Sequence, residues 1–222
     1  MEKHFELTDE TIEVAGNTLH RIRCTRDCKW AKTGDLGGFI EKEDNLSGDA
    51  WVADNAQVFG TARVSDNARL SGNAWVYDNA QVSGNAWVAD NAQVFGDAWV
   101  FGTARVSGNA WVFGTARVSG NAWVYDNAQV FGNAWVFGDA QVCGDARIDC
   151  IKAHCGFDVF GSCGRHTHAY ITAENKIEIT CGCFRGSIEE FEAKVRKTHG
   201  DNQYAHEYLA IIYLIKIKFG LV

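Results

Sequence analysis

The sequence contains no proline among its 222 residues. Proline lacks a backbone N–H and would remove a donor from any ladder of β-strands. Glycine is abundant by contrast, with 23 copies, and it supplies the positive φ angles that tight turns require. This composition indicates a chain of strands and turns in which the backbone hydrogen bonds are satisfied throughout.

Positive charge is also scarce. Lys and Arg number 21 against 28 Asp and Glu, which leaves a net charge of -7. A protein that binds nucleic acid directly needs clustered basic side chains to neutralise phosphates. The sequence therefore predicts no direct nucleic-acid partner.

Long apolar segments are missing too. The opening MEKHFELTDE lacks the apolar core of a secretory signal, and no stretch reaches the roughly 18 apolar residues that a membrane span needs. We therefore expect a soluble cytoplasmic protein with no membrane partner. In that compartment the eight cysteines are expected to be reduced thiols or metal ligands instead of disulfides.

What the sequence does contain is a repeat of six residues. It runs without insertion through seventeen hexads from Leu46 to Arg147. Position one of each hexad is Leu or Val, and position five is always Ala. Positions three and four hold Gly, Asp, Asn or Thr, which favour turns. Each hexad is thus predicted to be one short strand followed by one turn.

Positions five and one are two residues apart on an extended strand, so their side chains point to the same side, toward the interior. Three strands would close one triangular coil, and about six coils spaced by about 4.8 Å would form a prism roughly 29 Å tall. Burial of the aliphatic side chains, at roughly 1.5–3 kcal/mol each, stabilises this prism. Asn at position four is expected to form ladders along the corners.

Hexads of the form Asn-Ala-x-Val resemble the hexapeptide-repeat family. That resemblance implies an all-β solenoid, the left-handed parallel β-helix. The left-handed sense of this helix is taken from the family alone, because most β-crossovers are right-handed.

A second resemblance concerns the segment GDLGGFIEKEDNLSGDAWV, residues 34–52, together with the hexads that follow it. This part of the chain is similar to a group of phage and prophage proteins over roughly residues 20–148. CGCFRGSIEEFEAKVRKTHGDNQYAHEY, residues 181–208, is similar to a tail module of phage-type repeat proteins. The resemblance implies the cytoplasm of a bacterial host cell.

Positions six and two flank the inward residue and are predicted to face outward. Position six holds only Trp, Gln or Arg and contains seven of the eight tryptophans. Every third hexad should stack on one face of the prism. Position six then reads Trp51, Arg69, Trp87, Arg105, Trp123 and Gln141 on the first face; Gln57, Trp75, Gln93, Trp111 and Gln129 on the second; and Arg63, Gln81, Trp99, Arg117 and Trp135 on the third. Alternation of indoles with guanidinium or amide groups favours stacking between them.

Position two distinguishes the second face by an aromatic column. Its members are Phe59, Tyr77, Phe95, Phe113 and Phe131. A strip of exposed rings of this length is typical of an interaction surface. The predicted binding residues are this column and the tryptophans Trp75, Trp99, Trp111 and Trp135. We expect self-association, for which trimeric hexapeptide-repeat proteins are the precedent; a foreign protein or a planar ligand is the alternative.

The resemblance also raises acyl transfer, which in that family uses a catalytic histidine. All seven histidines lie outside the repeat, which has no Glu and no Lys, so the repeat lacks a general acid or base suited to a cleft. We therefore predict a non-enzymatic scaffold and binding protein. The other interpretation is a phage counter-defence factor that inhibits a host immune protein or traps a small nucleotide, with Arg63, Arg105 and Arg117 as contacts for its phosphate.

The sequence divides into three parts. Residues 1–33 are predicted to form a β-hairpin cap with its turn at Gly16-Asn17, residues 34–150 the β-helix, and residues 151–222 a small α+β module. A solenoid exposes strand edges at both ends, so each appendage is expected to cover one of them.

Within the last part we predict a hairpin around Asn175-Lys176 and two helices. A capping box at Ser187 starts the first helix, which ends near Gly200, and Asp201 or Asn202 starts the second. The isoleucine-rich stretch of the second helix is expected to pack on the last coil or on a neighbouring subunit.

Cysteine and histidine side chains are concentrated in the same part and suggest a zinc site. The candidates are Cys155, Cys163, His166, His168, Cys181 and Cys183. Four of them could form a tetrahedral site, although Cys-x-Cys spacing is a weaker signal than paired Cys-x-x-Cys. The alternative is that the cysteines are small buried thiols. No other cofactor is predicted.

Overall fold

The computed structural model describes residues 3–222. Three strands precede the repeat: β1 (Phe5–Val14), β2 (Asn17–Cys24) and β3 (Leu36–Ile40), followed by a 3-10 turn at Glu43–Asn45. Each hexad then contributes a two-residue strand made of positions six and one. These strands, β4 to β20 in chain order, are Trp51–Val52, Gln57–Val58, Arg63–Val64, Arg69–Leu70, Trp75–Val76, Gln81–Val82, Trp87–Val88, Gln93–Val94, Trp99–Val100, Arg105–Val106, Trp111–Val112, Arg117–Val118, Trp123–Val124, Gln129–Val130, Trp135–Val136, Gln141–Val142 and Arg147–Ile148.

The short strands stack into three parallel sheets, one for each face of the prism. Each strand pairs with the strand three positions later, so that Trp87 lies between Arg69 and Arg105. The first face consists of β4, β7, β10, β13, β16 and β19, the second of β5, β8, β11, β14, β17 and β20, and the third of β6, β9, β12, β15 and β18. This is the stacking that the six-residue period predicts, and the β-solenoid of about six coils is confirmed.

The interior of the prism is filled by positions one and five. Every Leu, Val or Ile at position one and every Ala at position five is at most 2% exposed. Because the two positions lie two residues apart on a strand, both side chains enter the same narrow space. The alanines leave room for the aliphatic side chains, which therefore pack without a wider cavity.

The corners use residues that accept a positive φ angle. Asp78 has φ 58°, and its carboxylate accepts a hydrogen bond of 3.3 Å from the N–H of Gly96 in the next coil. At Gly84, φ is 71°, and a Cβ there would lie 2.9 Å from the carbonyl oxygen of Gly102. Asp and Gly therefore occupy position three because the turn requires the left-handed region and close coil spacing.

Asparagine side chains form a ladder along one corner. Each amide Nδ2 donates to the Oδ1 of the residue eighteen positions later, at 3.1–3.2 Å. The members are Asn73, Asn91, Asn109, Asn127 and Asp145. A carboxylate can end such a ladder because it accepts a hydrogen bond without offering one. The predicted asparagine ladder is confirmed, and its donors all point toward the C-terminal end.

Replacement of a residue inside this ladder should weaken the solenoid. Asn109→Ala removes one accepted and one donated bond, and we expect it to lower the free energy of unfolding by about 1–2 kcal/mol. Asn109→Asp should cost less, because the carboxylate still accepts from Asn91. Urea unfolding followed by circular dichroism measures both values. Equal stability of Asn109→Ala and the unmodified protein would show that the ladder contributes nothing.

The N-terminal strands extend the second face of the solenoid. β1 and β2 form an antiparallel hairpin, β2 pairs with β3, and β3 runs parallel to β5 with Ile40 beside Val58. The hairpin turn is Ala15-Gly16, with φ angles of 49° and 81°, and the predicted turn at Gly16-Asn17 is wrong by one residue. A two-residue hairpin turn needs positive φ at both of its central residues, and Asn17 already pairs with Val14.

The C-terminal module is a four-stranded antiparallel sheet covered by two helices. Its strands are β21 (His154–Phe160), β22 (Arg165–Ile171), β23 (Ile177–Cys181) and β24 (Phe184–Gly186), and its helices are α1 (Ile188–His199) and α2 (Gln203–Lys218). Ser187 and Glu190 form the predicted capping box, and Asn202 caps α2. The buried isoleucines of α2 pack on α1 and the sheet. The expectation that they pack on the last coil is therefore wrong.

Side chains from both appendages satisfy backbone groups at the ends of the solenoid. At the C-terminal end, the carbonyl of Gln141 accepts hydrogen bonds from Nδ1 of His168 at 3.2 Å and from the hydroxyl of Thr180 at 3.0 Å. At the N-terminal end, Nε2 of His4 donates to the carbonyl of Ala50 at 2.9 Å. These groups replace the strand that a further coil would have supplied.

Candidate functional site

A column of stacked rings runs along the second face. Consecutive centroids from Phe59 to Phe131 lie 4.9–5.1 Å apart, and the ring planes differ by at most 5°. The indole of Trp111 stands at 74–75° to the neighbouring rings of Phe95 and Phe113 and is 40% exposed. The column continues because each ring repeats with the strand spacing of the sheet. The predicted residues of the second face thus form one continuous apolar column, whereas Trp99 and Trp135 lie on the third face.

The N-terminal end of this column is covered by the chain itself. Phe59 is 6% exposed because it packs with Leu19 and Phe39, and Ile12 and Val14 of the hairpin lie against the same cluster. Phe59 was expected to be an exposed contact, and that expectation is wrong. The sequence pattern of the repeat shows which way a ring points, but it does not show which remote segment covers it.

Tryptophan and arginine alternate on the other two faces and stack as predicted. The guanidinium carbon of Arg117 lies 5.5 Å from the ring centre of Trp99, and those of Arg69 and Arg105 lie 5.6 and 5.9 Å from Trp87. These separations are within the range of cation–π attraction. Arg63 stands apart from this set, on β6 beside Gln81 of β9.

A second set of contacts holds the indoles in place. Nε1 of Trp87, Trp123 and Trp135 donates to the hydroxyl of a serine sixteen residues earlier, at 2.9–3.2 Å. The serines are Ser71, Ser107 and Ser119. Trp87 and Trp123 were not among the predicted binding residues. The sixteen-residue spacing from Ser to Trp was the signal for both.

The six candidate zinc ligands lie in different places. His168 faces the end of the solenoid at Gln141, whereas Cys155 and Cys181 face the helices. Successive residues of a strand point to opposite sides of a sheet, so the sheet separates these side chains. Cys163 and Cys183 are exposed, and Nδ1 of His166 contacts the carboxylate of Asp158 at 2.5 Å. Within residues 3–222, no three His, Cys, Asp or Glu side chains are arranged to hold a metal ion.

Two buried histidines connect the module to the last coil. Nδ1 of His168 donates to a carbonyl, so its Nε2 accepts from Nδ1 of His154, which lies 2.9 Å away. Burial lowers the pKa of His154 to about 4, and burial together with the neighbouring His154 lowers the pKa of His168 to about 3. Both rings are therefore neutral at physiological pH.

The repeat is similar to a known family of solenoids. Residues 62–78, 80–96, 116–130 and 128–144 match the YdcK Beta solenoid repeat. The chain is a β-solenoid repeat protein. The matched segments lie wholly within the coils, so the similarity concerns the prism and does not extend to the two appendages. No curated protein matches the chain.

The helices of the C-terminal module are short relative to a bilayer. Among residues 3–222 no helix has both the length and the apolar character to cross a membrane. The exposed side of α2 nevertheless carries Tyr213, Leu214 and Ile217, so this helix has apolar residues on both of its sides.

Proposed function

We propose that this β-solenoid repeat protein is a non-enzymatic scaffold that self-associates through the aromatic column of the second face. The continuous stack from Tyr77 to Phe131, with Trp111 beside it, is the observation that supports this proposal most directly. Monomeric proteins seldom leave so long an apolar strip uncovered. The outward positions of the coils carry no histidine, lysine or glutamate, which agrees with a binding role.

The hairpin supplies an intramolecular example of the proposed contact. Its residues Ile12, Val14 and Leu19 bury Phe59 and partly cover Trp75. The remaining rings, from Phe95 onward, have no such cover from the hairpin cluster. A second copy of the same face would offer a surface of the same spacing, because both columns repeat with the strand distance. The hexapeptide-repeat resemblance implies three copies, arranged in the cytoplasm of a bacterial host.

Self-association can be tested by removal of two rings from the column. Phe95→Ser combined with Phe113→Ser should convert the oligomer to a monomer, because the substitution removes the centre of the apolar strip. Serine is compatible with the coil, since it occupies position two at Ser83 and Ser119 of the third face. Sedimentation velocity measures the mass of each form.

The matched control is Phe101→Ser, which removes a ring at the same position of the third face. This variant should keep the mass of the unmodified protein. If the unmodified protein is monomeric at concentrations near 100 μM, or if both variants dissociate alike, self-association through the second face is contradicted. A monomer that captures a foreign protein through the intact column, and loses it in the double variant, would support the alternative partner.

A further inference from the structure

A slot lies on the first face between the indoles of Trp87 and Trp123. Its volume is about 220 Å³, and Ala89 forms part of its floor, with Arg105 and Asp90 among its walls. The two indoles belong to coils two apart, a separation of about 9.6 Å along the prism. The volume is below the roughly 300–1,000 Å³ of sites for drug-sized ligands. The slot is therefore of the right size for one ring system.

The three faces differ in the residue that follows these tryptophans by two positions. The first face has three tryptophans, Trp51, Trp87 and Trp123, and the other two faces have two each, with consecutive members thirty-six residues apart. The residue two positions after Trp87 is Ala89, whereas Trp75 on the second face is followed by Tyr77 and Trp99 on the third by Phe101. Trp51 is followed by Ala53, but Trp30 lies over Arg69 in that part of the face. The ring of Phe101 packs edge-on to Trp99 at 6.3 Å, and that of Tyr77 packs against Trp75 at 6.4 Å. Alanine leaves that space empty.

The two indoles that form the walls of the slot are fixed in place by contacts within the protein. Nε1 of Trp87 donates to Ser71 at 2.9 Å, and Nε1 of Trp123 donates to Ser107 at 3.2 Å. Tyr125 packs on Trp123 with a centroid distance of 4.5 Å. Because the indole N–H groups are already bonded, the indoles contact a guest through their rings, beside the guanidinium of Arg105, which lies 5.9 Å from the ring centre of Trp87. Rings fixed in this way lose little side-chain entropy on binding.

The polar side chains of the slot indicate which charged and polar groups a ligand would carry. Arg105 presents an exposed guanidinium on one side, which suits a phosphate or carboxylate. Asp90 stands at the corner on the other side, where one carboxylate oxygen accepts from the N–H of Gly108 at 3.0 Å. Its other oxygen suits an amino group on the guest. Aromatic walls with a cation at one side and an acceptor at the other fit a nucleobase that carries a phosphate.

Another arginine of the first face already stacks on an aromatic ring from outside the coils. The guanidinium of Arg69 lies 5.6 Å from the ring centre of Trp30 and 5.6 Å from that of Trp87. Trp30 comes from the N-terminal segment and is fixed by a bond of 2.9 Å from Nε1 to the carbonyl of Asn67. A ring can therefore stack against an arginine of this face from outside the coils.

We propose that the slot between Trp87 and Trp123 binds one planar heteroaromatic ring bearing an anionic group, of the size of a nucleoside monophosphate. This site lies on the first face and is separate from the aromatic column of the second. Binding should therefore persist in the Phe95→Ser, Phe113→Ser double variant, and failure of one proposal leaves the other intact.

Titration calorimetry with AMP, GMP and adenosine at up to about 1 mM tests the site. We expect the two nucleotides to bind and adenosine to bind more weakly. Ala89→Phe should reduce the affinity for AMP by about tenfold or more, because the phenyl ring fills the slot. Arg105→Gln should weaken AMP binding more than adenosine binding, because the guanidinium attracts the anionic group in addition to its contact with the ring of Trp87.

Phe101→Ala provides a converse test, because it should open an equivalent slot between Trp99 and Trp135 beside Arg117 and add a second site of similar affinity. Thermal melts of each variant establish that it is folded; position two already carries Phe in Phe101 and Ala in Ala89. The proposal is overturned if none of the nucleotides produces heat with the unmodified protein. It is equally overturned if folded Ala89→Phe binds AMP as tightly as the unmodified protein.

Discussion

Acidification from about pH 7 to about pH 5 is expected to destabilise the C-terminal module by several kcal/mol. In the folded protein the pKa values of His154 and His168 are lowered to about 4 and about 3, against about 6.5 in an unfolded chain. The folded state thus binds fewer protons than the unfolded state over this range. Stability falls by up to about 1.4 kcal/mol per pH unit for each histidine.

The sign and the window follow from these values. Above pH about 6.5 both states carry neutral rings and the free energy of unfolding is at its maximum. As the pH drops toward 4, the unfolded chain gains protons that the buried rings resist. The positive charge of Lys218 and the neighbouring His166 oppose protonation of His154 further. His4 at the other end has a pKa lowered by burial as well, so the N-terminal cap should respond in the same direction.

Hydrogen exchange at several pH values would locate the loss of protection in residues 151–218, and urea unfolding would give its size. His168→Gln keeps a donor for the carbonyl of Gln141 and does not titrate, so its pH dependence should be shallower by one proton. Thr180→Val is the matched control, because it removes the other hydrogen bond to the carbonyl of Gln141 without removing a titratable group, so the slope should stay unchanged. Equal free energies of unfolding at pH 7 and pH 5 would contradict the role assigned to the buried rings.

Val112→Asp should abolish the cooperative folding of the coils around it. Val112 is fully buried, and a carboxylate at that position would have neither solvent nor a partner charge. The expected loss exceeds about 4 kcal/mol, which is a large part of the roughly 5–15 kcal/mol that stabilise a typical domain. Because each coil contacts only its neighbours, the break should divide the prism into two parts. Circular dichroism and hydrogen exchange would detect this division.

The neighbouring residue of the same strand serves as the control. Trp111→Gln changes an outward side chain to the residue that Gln93 and Gln129 carry in the adjacent coils. Only the edge contacts with Phe95 and Phe113 are lost, and we expect about 0.5–1.5 kcal/mol. If Val112→Asp unfolds at the same urea concentration as Trp111→Gln, position one does not face a closed interior.

The coils could be predicted from the repeat in detail. Ala86 and Val88 are two residues apart on a strand, so their side chains point to the same side and both face the interior. The Gly and Asp residues between the strands allow only a tight turn. From that period follow the three faces, the position of Arg105 on the strand between Trp87 and Trp123, and the asparagine ladder. The helix boundaries at Ser187 and Asn202 could likewise be predicted, because capping is a local property of the sequence.

Other features depend on segments far apart in the sequence. The hairpin reaches Phe59, and His168 reaches Gln141. Neither contact leaves a signature in a periodic pattern. The six candidate zinc ligands illustrate the same limit, because their closeness in sequence suggested a cluster while the two sides of the sheet keep His168 and Cys155 apart.

The sequence by itself determined the solenoid, its coil length and the direction in which each repeated side chain points, because these follow from local geometry that recurs every six residues. Only the tertiary structure decided which outward residues remain open to a partner. Exposure depends on the remote hairpin and on the size of the residue at position two in the adjoining coil. The slot above Ala89 is the clearest case, since its walls come from three coils and become a site only when those coils are stacked.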